Sequence, residues 1–202
     1  MKPTLTFQDY QTAAETLRCE TAIIQAFGNV EAPKGGFTED DNLAFLFEPH
    51  IFWKRLKKAG LDPEKLIKQC PEFSTFLYPI WNSKKYPKTL SARIEQFKQA
   101  TAIHPRIAGE STSWGKFQIM GFNHKFIGFD TLIAMLASFN QSEANQLNGF
   151  VKYIFNAGLD DELRAKAFKL LARAYNGEFY WKNQYDKKIE AEYNRIIQQI
   201  PA

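Results

Sequence analysis

Apolar and polar residues along this chain alternate mostly with the period of a helix. From Glu20 onward Ile23, Ala26, Phe27 and Val30 fall at i, i+3, i+4 and i+7, one stripe of a helix that ends near Glu31 because Pro33 and Gly35-Gly36 follow. Before it, Thr6 to Leu17 reads as a first helix, with Thr6 placed to cap it and Gln8 or Asp9 in its opening turn. Asn42 to Phe47 is a short apolar run, an extended strand or a buried loop, leading through Glu48-Pro49-His50 into another helix that ends at Gly60. Residues 71–89, punctuated by Pro71, Pro79 and Pro87, read as an ordered, aromatic-rich connection. Further on, Leu147, Phe150, Val151 and Ile154 make one helical stripe, and Leu163, Ala167, Leu170, Leu171 and Ala174 make the next. Asp160, Asp161 and Glu162 sit where a helix amino end favours negative charge. A last helix is predicted from Trp181 to about Ile200, burying Tyr185, Ile189, Tyr193, Ile196 and Ile200. The expected fold is mostly α, with at most a small β region in the first third.

Composition narrows the classes. A chain of 202 residues fits one domain, long enough to bury roughly two-thirds of its unfolded surface. Hydrophobic residues at 45% and charged residues at 24% are ordinary for a globular protein, and no apolar run approaches the roughly 18 residues that membrane insertion needs. Cys19 and Cys70 lie in no zinc or redox spacing, so neither a metal nor an organic cofactor is expected. The net charge of +4 is a mild bias towards anionic polymers. No basic block is dense enough to indicate nucleic acid; Lys54-Arg55-Leu56-Lys57-Lys58 reads as a solvated helix face. Met1 to Asp9 lack the apolar core of a secretory signal, so the expectation is synthesis in a cytoplasm, with any external target reached by another route. Aromatic residues are 15% of the chain, and they either fill a core or line a groove for ligands with flat C–H faces, as sugars have.

Four segments carry candidate chemistry. Glu31 closes an amphipathic helix beside Val30, Ala32 and Phe37, where the helix dipole and apolar flanks both disfavour a second negative charge. Such a carboxyl holds its proton near neutrality, as a general acid for a glycosidic oxygen must; the alternative is a solvated helix end. Glu48 stands between Phe45-Leu46-Phe47 and Ile51-Phe52-Trp53 and needs a partner, His50 or an arginine, whether it orients water or forms a structural ion pair. Ser113-Trp114-Gly115-Lys116-Phe117-Gln118-Ile119-Met120-Gly121 reads as a turn at an apolar helix start, with Ser113 a cap or a ligand contact and Gln118 an amide able to donate and accept to one sugar. It lacks the flanking glycines of a nucleophile elbow. Tyr175-Asn176-Gly177 ends a helix, Gly177 as its stop and Tyr175 and Asn176 as core, cap or groove residues.

Together these segments resemble the ordered signature of the lysozyme-like superfamily, which includes goose-type lysozymes and soluble lytic transglycosylases. More closely they resemble the N-acetylmuramidase domains of phage endolysins and some bacterial proteins. The likeness runs through Val30-Glu31-Ala32, Leu46 to Phe52, Ser113 to Gly121 and Ala174-Tyr175-Asn176-Gly177, and covers about Leu5 to Tyr193. It implies a single lysozyme-like catalytic domain over 1–202, without a separate wall-binding module, that cuts the β-1,4 bond between N-acetylmuramic acid and N-acetylglucosamine. Glu31 matches the catalytic acid. Glu48 matches a second carboxylate and His50 its neighbour, while Ser113, Gln118, Tyr175 and Asn176 match positions along the glycan groove. The implied partner is the peptidoglycan strand, met by a monomer. Absence of a leader suits an endolysin; a secreted muramidase toxin with an immunity protein is the other setting, and a lytic transglycosylase or an inactive glycan-binding protein are the rival activities. This chain departs from the family in Ala32, where Ser usually follows the acid, and in Pro49, where Arg commonly separates the Glu from the His.

Overall fold

The computed structural model describes residues 1–177 and 180–199. Two helices open the chain: α1 (Phe7–Leu17) and α2 (Thr21–Glu31). Thr6 caps α1 through a capping box, accepting from the Asp9 amide at 3.2 Å while the Asp9 carboxylate accepts from the Thr6 amide at 2.8 Å. Ile23, Ala26 and Phe27 are fully buried on the expected stripe of α2, joined by Ile24. A short strand β1 (Phe45–Phe47) follows, then α3 (Pro49–Lys58) and α4 (Pro63–Gln69), each with proline in its first turn, where a missing amide costs no bond. Residues 71–89 are ordered by two short 3-10 turns, Pro71–Thr75 and Ser83–Lys85.

The middle of the chain supplies α5 (Leu90–Ile103), α6 (Pro105–Glu110), β2 (Thr112–Trp114) and β3 (Ile119–Met120). The three strands form one antiparallel sheet, with Leu46 opposite Ser113 and Ser113 opposite Met120. The small β region thus begins in the first third and is completed by residues 112–120. That segment was expected to start a helix and is instead a hairpin. Its turn takes Gly115 at φ 75° and Gln118 at φ 47°, left-handed values that a helix start cannot contain.

Beyond the hairpin come α7 (Leu132–Phe139), α8 (Glu143–Ala157), α9 (Asp160–Arg164), α10 (Phe168–Asn176) and α11 (Tyr185–Gln198). Leu163 to Ala174 was expected as one stripe and is two helices. Lys166 at φ 54° breaks the chain between α9 and α10, and Leu170 is left 54% exposed. Trp181 was expected in the last helix but sits in the 3-10 turn Tyr180–Lys182, separated from α11 by Gln184 at φ 52°. Ile200 lies outside the described residues. Among the described residues no helix is long and apolar enough to cross a membrane.

Many of the aromatic residues fill the core. Phe27, Phe52, Phe76, Phe117, Phe139 and Phe150 are fully buried, each contributing on the order of 2 kcal/mol by area removed from water. Two clusters share the interior. One gathers α1, α2, the hairpin and the helices from α7 onward; the other gathers Phe47, α3, Phe76, Leu77, Ala100 and α6. Phe97 bridges them by ring contacts to Phe45, Phe47 and Trp114. The sheet is therefore the seam of the molecule, with Glu31 ending a helix of the first cluster and Glu48 starting a helix of the second.

Candidate active site

Glu31 is the last residue of α2 and is only partly open to solvent. Its Oε1 accepts from the Asn176 side-chain amide at 3.1 Å, so the end of α10 reaches the end of α2. Burial pushes the carboxyl up to about 8, against the opposing pull of the Lys188 ammonium. The chain leaving Glu31 is held from beneath. The buried Lys116 ammonium donates to Ala32 O at 3.1 Å, and the Gly36 amide donates to Glu143 Oε1 at 2.5 Å. Glu143 and Gln146, both buried on α8, thereby fix this loop and the hairpin together, since Gln146 Oε1 also accepts from the Lys116 amide at 2.6 Å.

Glu48 caps α3, and its backbone amide donates to Ser111 O at 2.9 Å. Burial raises its carboxyl to about 7, while a hydrogen bond from the Tyr86 hydroxyl to Oε2 works the other way. Neither partner considered from the sequence serves. His50 Nδ1 is 3.4 Å from the same oxygen, but burial holds the imidazole down to about 4, so it is neutral at pH 7 and forms no ion pair. Arg55 is engaged by Glu110 instead. Pro49 leaves no cation between Glu48 and His50, and Tyr86 fills that place from 38 residues away.

Tyr185 feels both carboxyls: burial first, and then the negative fields of both Glu31 and Glu48, push its hydroxyl upwards. Tyr86 feels Glu48 and Tyr185 in the same way, and Tyr78 is raised to about 12 by burial and Glu48. Trp81 and the 59% exposed Trp181 both approach Lys182, 5.6 and 5.7 Å from its ammonium to their ring centres. None of Tyr78, Tyr86, Trp81, Trp181 or Lys188 stood out as a site residue in the sequence. For Tyr78, Trp81 and Tyr86 the signal was the excess of aromatic residues in 71–89, Trp181 and Lys188 carried none, and Tyr185 read simply as buried.

The hairpin residues sit behind this arrangement. Ser113 is buried, and its hydroxyl donates to Gln118 Oε1 at 2.8 Å. Gln118 Nε2 donates to Gly115 O at 2.8 Å. The Tyr175 hydroxyl donates to Phe117 O at 2.6 Å, and its ring packs edge-on against Phe27 and Tyr153. Of the residues singled out from the sequence, the structure brings Glu31 and Asn176 into contact and sets His50 beside Glu48, whereas the polar groups of Ser113 and Tyr175 are turned inward. Among the described residues no group of three or more His, Cys, Asp or Glu is placed to hold a metal.

Burial can hold the Glu31 carboxyl protonated near neutrality and the Glu48 carboxyl half-ionised, with Tyr185 in the field of both. Comparison with known proteins places the chain in a family. The family described as Muramidase, N-acetylmuramidase, matches residues 20–197. Four chains of solved structure match. One is a Burkholderia AP3 phage endolysin, with a TM-score of 0.79 and 31% identity over 96% of this chain and 72% of that one. No curated protein sequence matches.

Proposed function

Because the chain belongs to the N-acetylmuramidase family, and is a peptidoglycan muramidase by that membership, we propose that it hydrolyses the β-1,4 bond between N-acetylmuramic acid and N-acetylglucosamine. The observation that carries this reading is the Glu31 carboxyl, only partly open to solvent, anchored through one oxygen by Asn176 and pushed by burial up to about 8. Its proton goes to the glycosidic oxygen as the bond at the muramic C1 breaks, leaving an oxocarbenium-like sugar. Glu48, ionised in part because Tyr86 donates to it, takes a proton from the water that captures that carbon. His50 and Asn176 contact the glycan, and Gln118 holds the hairpin behind them through its bonds to Ser113 and Gly115. Ser113 and Tyr175 support the groove from behind, and residues 1–202 work as a single catalytic domain on the wall polymer, as a monomer. The structural likeness to a phage endolysin supports a role in opening the wall of a bacterial host, reached after release from the cytoplasm.

The test is digestion of purified peptidoglycan by the parental protein and by Glu31→Gln, followed by mass spectrometry. The hydrolase reading expects reducing N-acetylmuramic ends from the parent and a loss of at least a hundredfold in the variant. Equal clearing by the two proteins refutes a catalytic Glu31. A second reading, lytic transglycosylation, is favoured by one observation: a carboxyl raised to about 7 is a half-protonated base. In that reaction the muramic 6-hydroxyl attacks in place of water. The products then carry 1,6-anhydro ends.

A further inference from the structure

Muramic acid carries a lactyl ether at C3, from which the stem peptide of the wall hangs, and C3 is two ring positions from the C1 whose bond is cut. A carboxyl that serves C1 therefore has the first stem residues passing beside it. Next to Glu31 a cleft of about 780 Å³ is lined by Val30 and Pro33 and by Lys188, Ala191, Glu192 and Arg195 of α11. Tyr185, Lys188, Glu192 and Arg195 fall at i, i+3, i+7 and i+10 of that helix, one stripe leading from the tyrosine that feels both carboxyls into the cleft. Glu192 is met by the Arg195 guanidinium at 2.7 and 2.8 Å and by the Asn29 amide at 2.8 Å. With two cations and one anion the lining is net positive. The Lys188 ammonium stands 5.7 Å from the Tyr185 ring centre, at the end of the cleft nearest Glu31.

We propose that this cleft between the end of α2 and α11 binds the acidic stem peptide of the muramic residue being cleaved, with Lys188 pairing a stem carboxylate. The inference rests on the muramidase reading and names what distinguishes one face of its substrate. Val30, Pro33 and Ala191 supply an apolar surface for the short stem side chains, and Lys188 supplies the charge. An exposed cation of this kind selects a carboxylate by Coulomb attraction and loses that selectivity as salt rises.

The experiment compares soluble glycan strands that keep their stems with strands stripped of them by an amidase, the lactyl carboxylate so exposed being capped as its methyl amide. It is run at about pH 6, where Glu31 is protonated in every protein tested. The readout is the ratio of kcat/KM on stem-bearing over stem-free strands, in which any change common to both substrates cancels. The parental ratio is expected to be well above one. It falls about tenfold in Lys188→Met and further in Lys188→Glu. Ala191→Trp, on an exposed position of the lining, fills the cleft and lowers the ratio without touching a charge. A parental ratio near one, or a ratio unchanged in Lys188→Met and Ala191→Trp, overturns the stem assignment while leaving the muramidase reading intact. Failure of the parental protein to cut either strand overturns the muramidase reading, and the stem assignment falls with it.

Discussion

The pH dependence of kcat/KM separates the two readings of Glu48. Its carboxyl is raised to about 7 and that of Glu31 to about 8. If water is activated by ionised Glu48 while Glu31 holds a proton, the reactive form peaks between these values. About 60% of molecules are in it at about pH 7.5, and about 1% at pH 5, so kcat/KM falls on the order of sixtyfold between them. If Glu31 alone is required, the same acidification raises activity by about a third, because only protonation of Glu31 matters. Both readings lose activity tenfold per unit well above pH 8, as Glu31 ionises. The assay is release of soluble fragments from stripped glycan strands at constant ionic strength, repeated with Glu48→Gln. Removal of the acidic limb together with a loss of about a hundredfold supports Glu48 as the base. An acidic limb that persists unchanged in Glu48→Gln refutes the assignment, since some other group would then be titrating.

Three further outcomes follow from the same coordinates. In Tyr86→Phe the hydrogen bond that holds Glu48 down is lost, so the acidic limb moves up by about one pH unit, and an unmoved limb counts against that bond. Glu31 is raised from 4.5 to about 8 by folding, so the stability its protonated form contributes is fully present below 4.5 and is lost as pH rises towards about 8. Glu31→Gln is therefore increasingly more stable than the parent over that window, by up to about 1.4 kcal/mol per pH unit, and parallel Tm-against-pH curves would contradict this. Gly121→Ala places a methyl 2.2 Å from the Gly109 carbonyl oxygen, a backbone atom. It is expected to lower the urea midpoint by the equivalent of about 2 kcal/mol.

What the sequence discloses is what short-range periodicity and local chemistry can encode. The stripe of α2 and the Thr6 cap of α1 are settled within a few residues, and the structure has both, the cap completed by Asp9 as a box. Glu31 is legible as a candidate because it closes an apolar helix end, but the burial that raises its carboxyl is completed by α10 and α11. The hairpin at 112–120 is not legible, because its apolar residues lie close enough to suit a helix start, and the competing information is a pair of left-handed backbone positions, one at Gln118. The α9–α10 break hides for the same reason, since nothing about Lys166 announces a positive φ. The partners of the carboxyls are harder still. Tyr86, Tyr185 and Lys188 reach the site only after the segment at 71–89 and the last helix have closed over the seam, a fact of tertiary packing that no spacing in the chain records.

The packing of α11 against α2 also sets a time at which the protein becomes competent. Glu31 leaves the ribosome 145 residues before Asn176, and Tyr185 and Lys188 follow later still. Until they arrive, the acid has no anchor and the end of its helix stays wet, so the carboxyl ionises like any other. Synthesis from amino to carboxyl end therefore gives Glu31 its raised carboxyl only after α10 and α11 have been made.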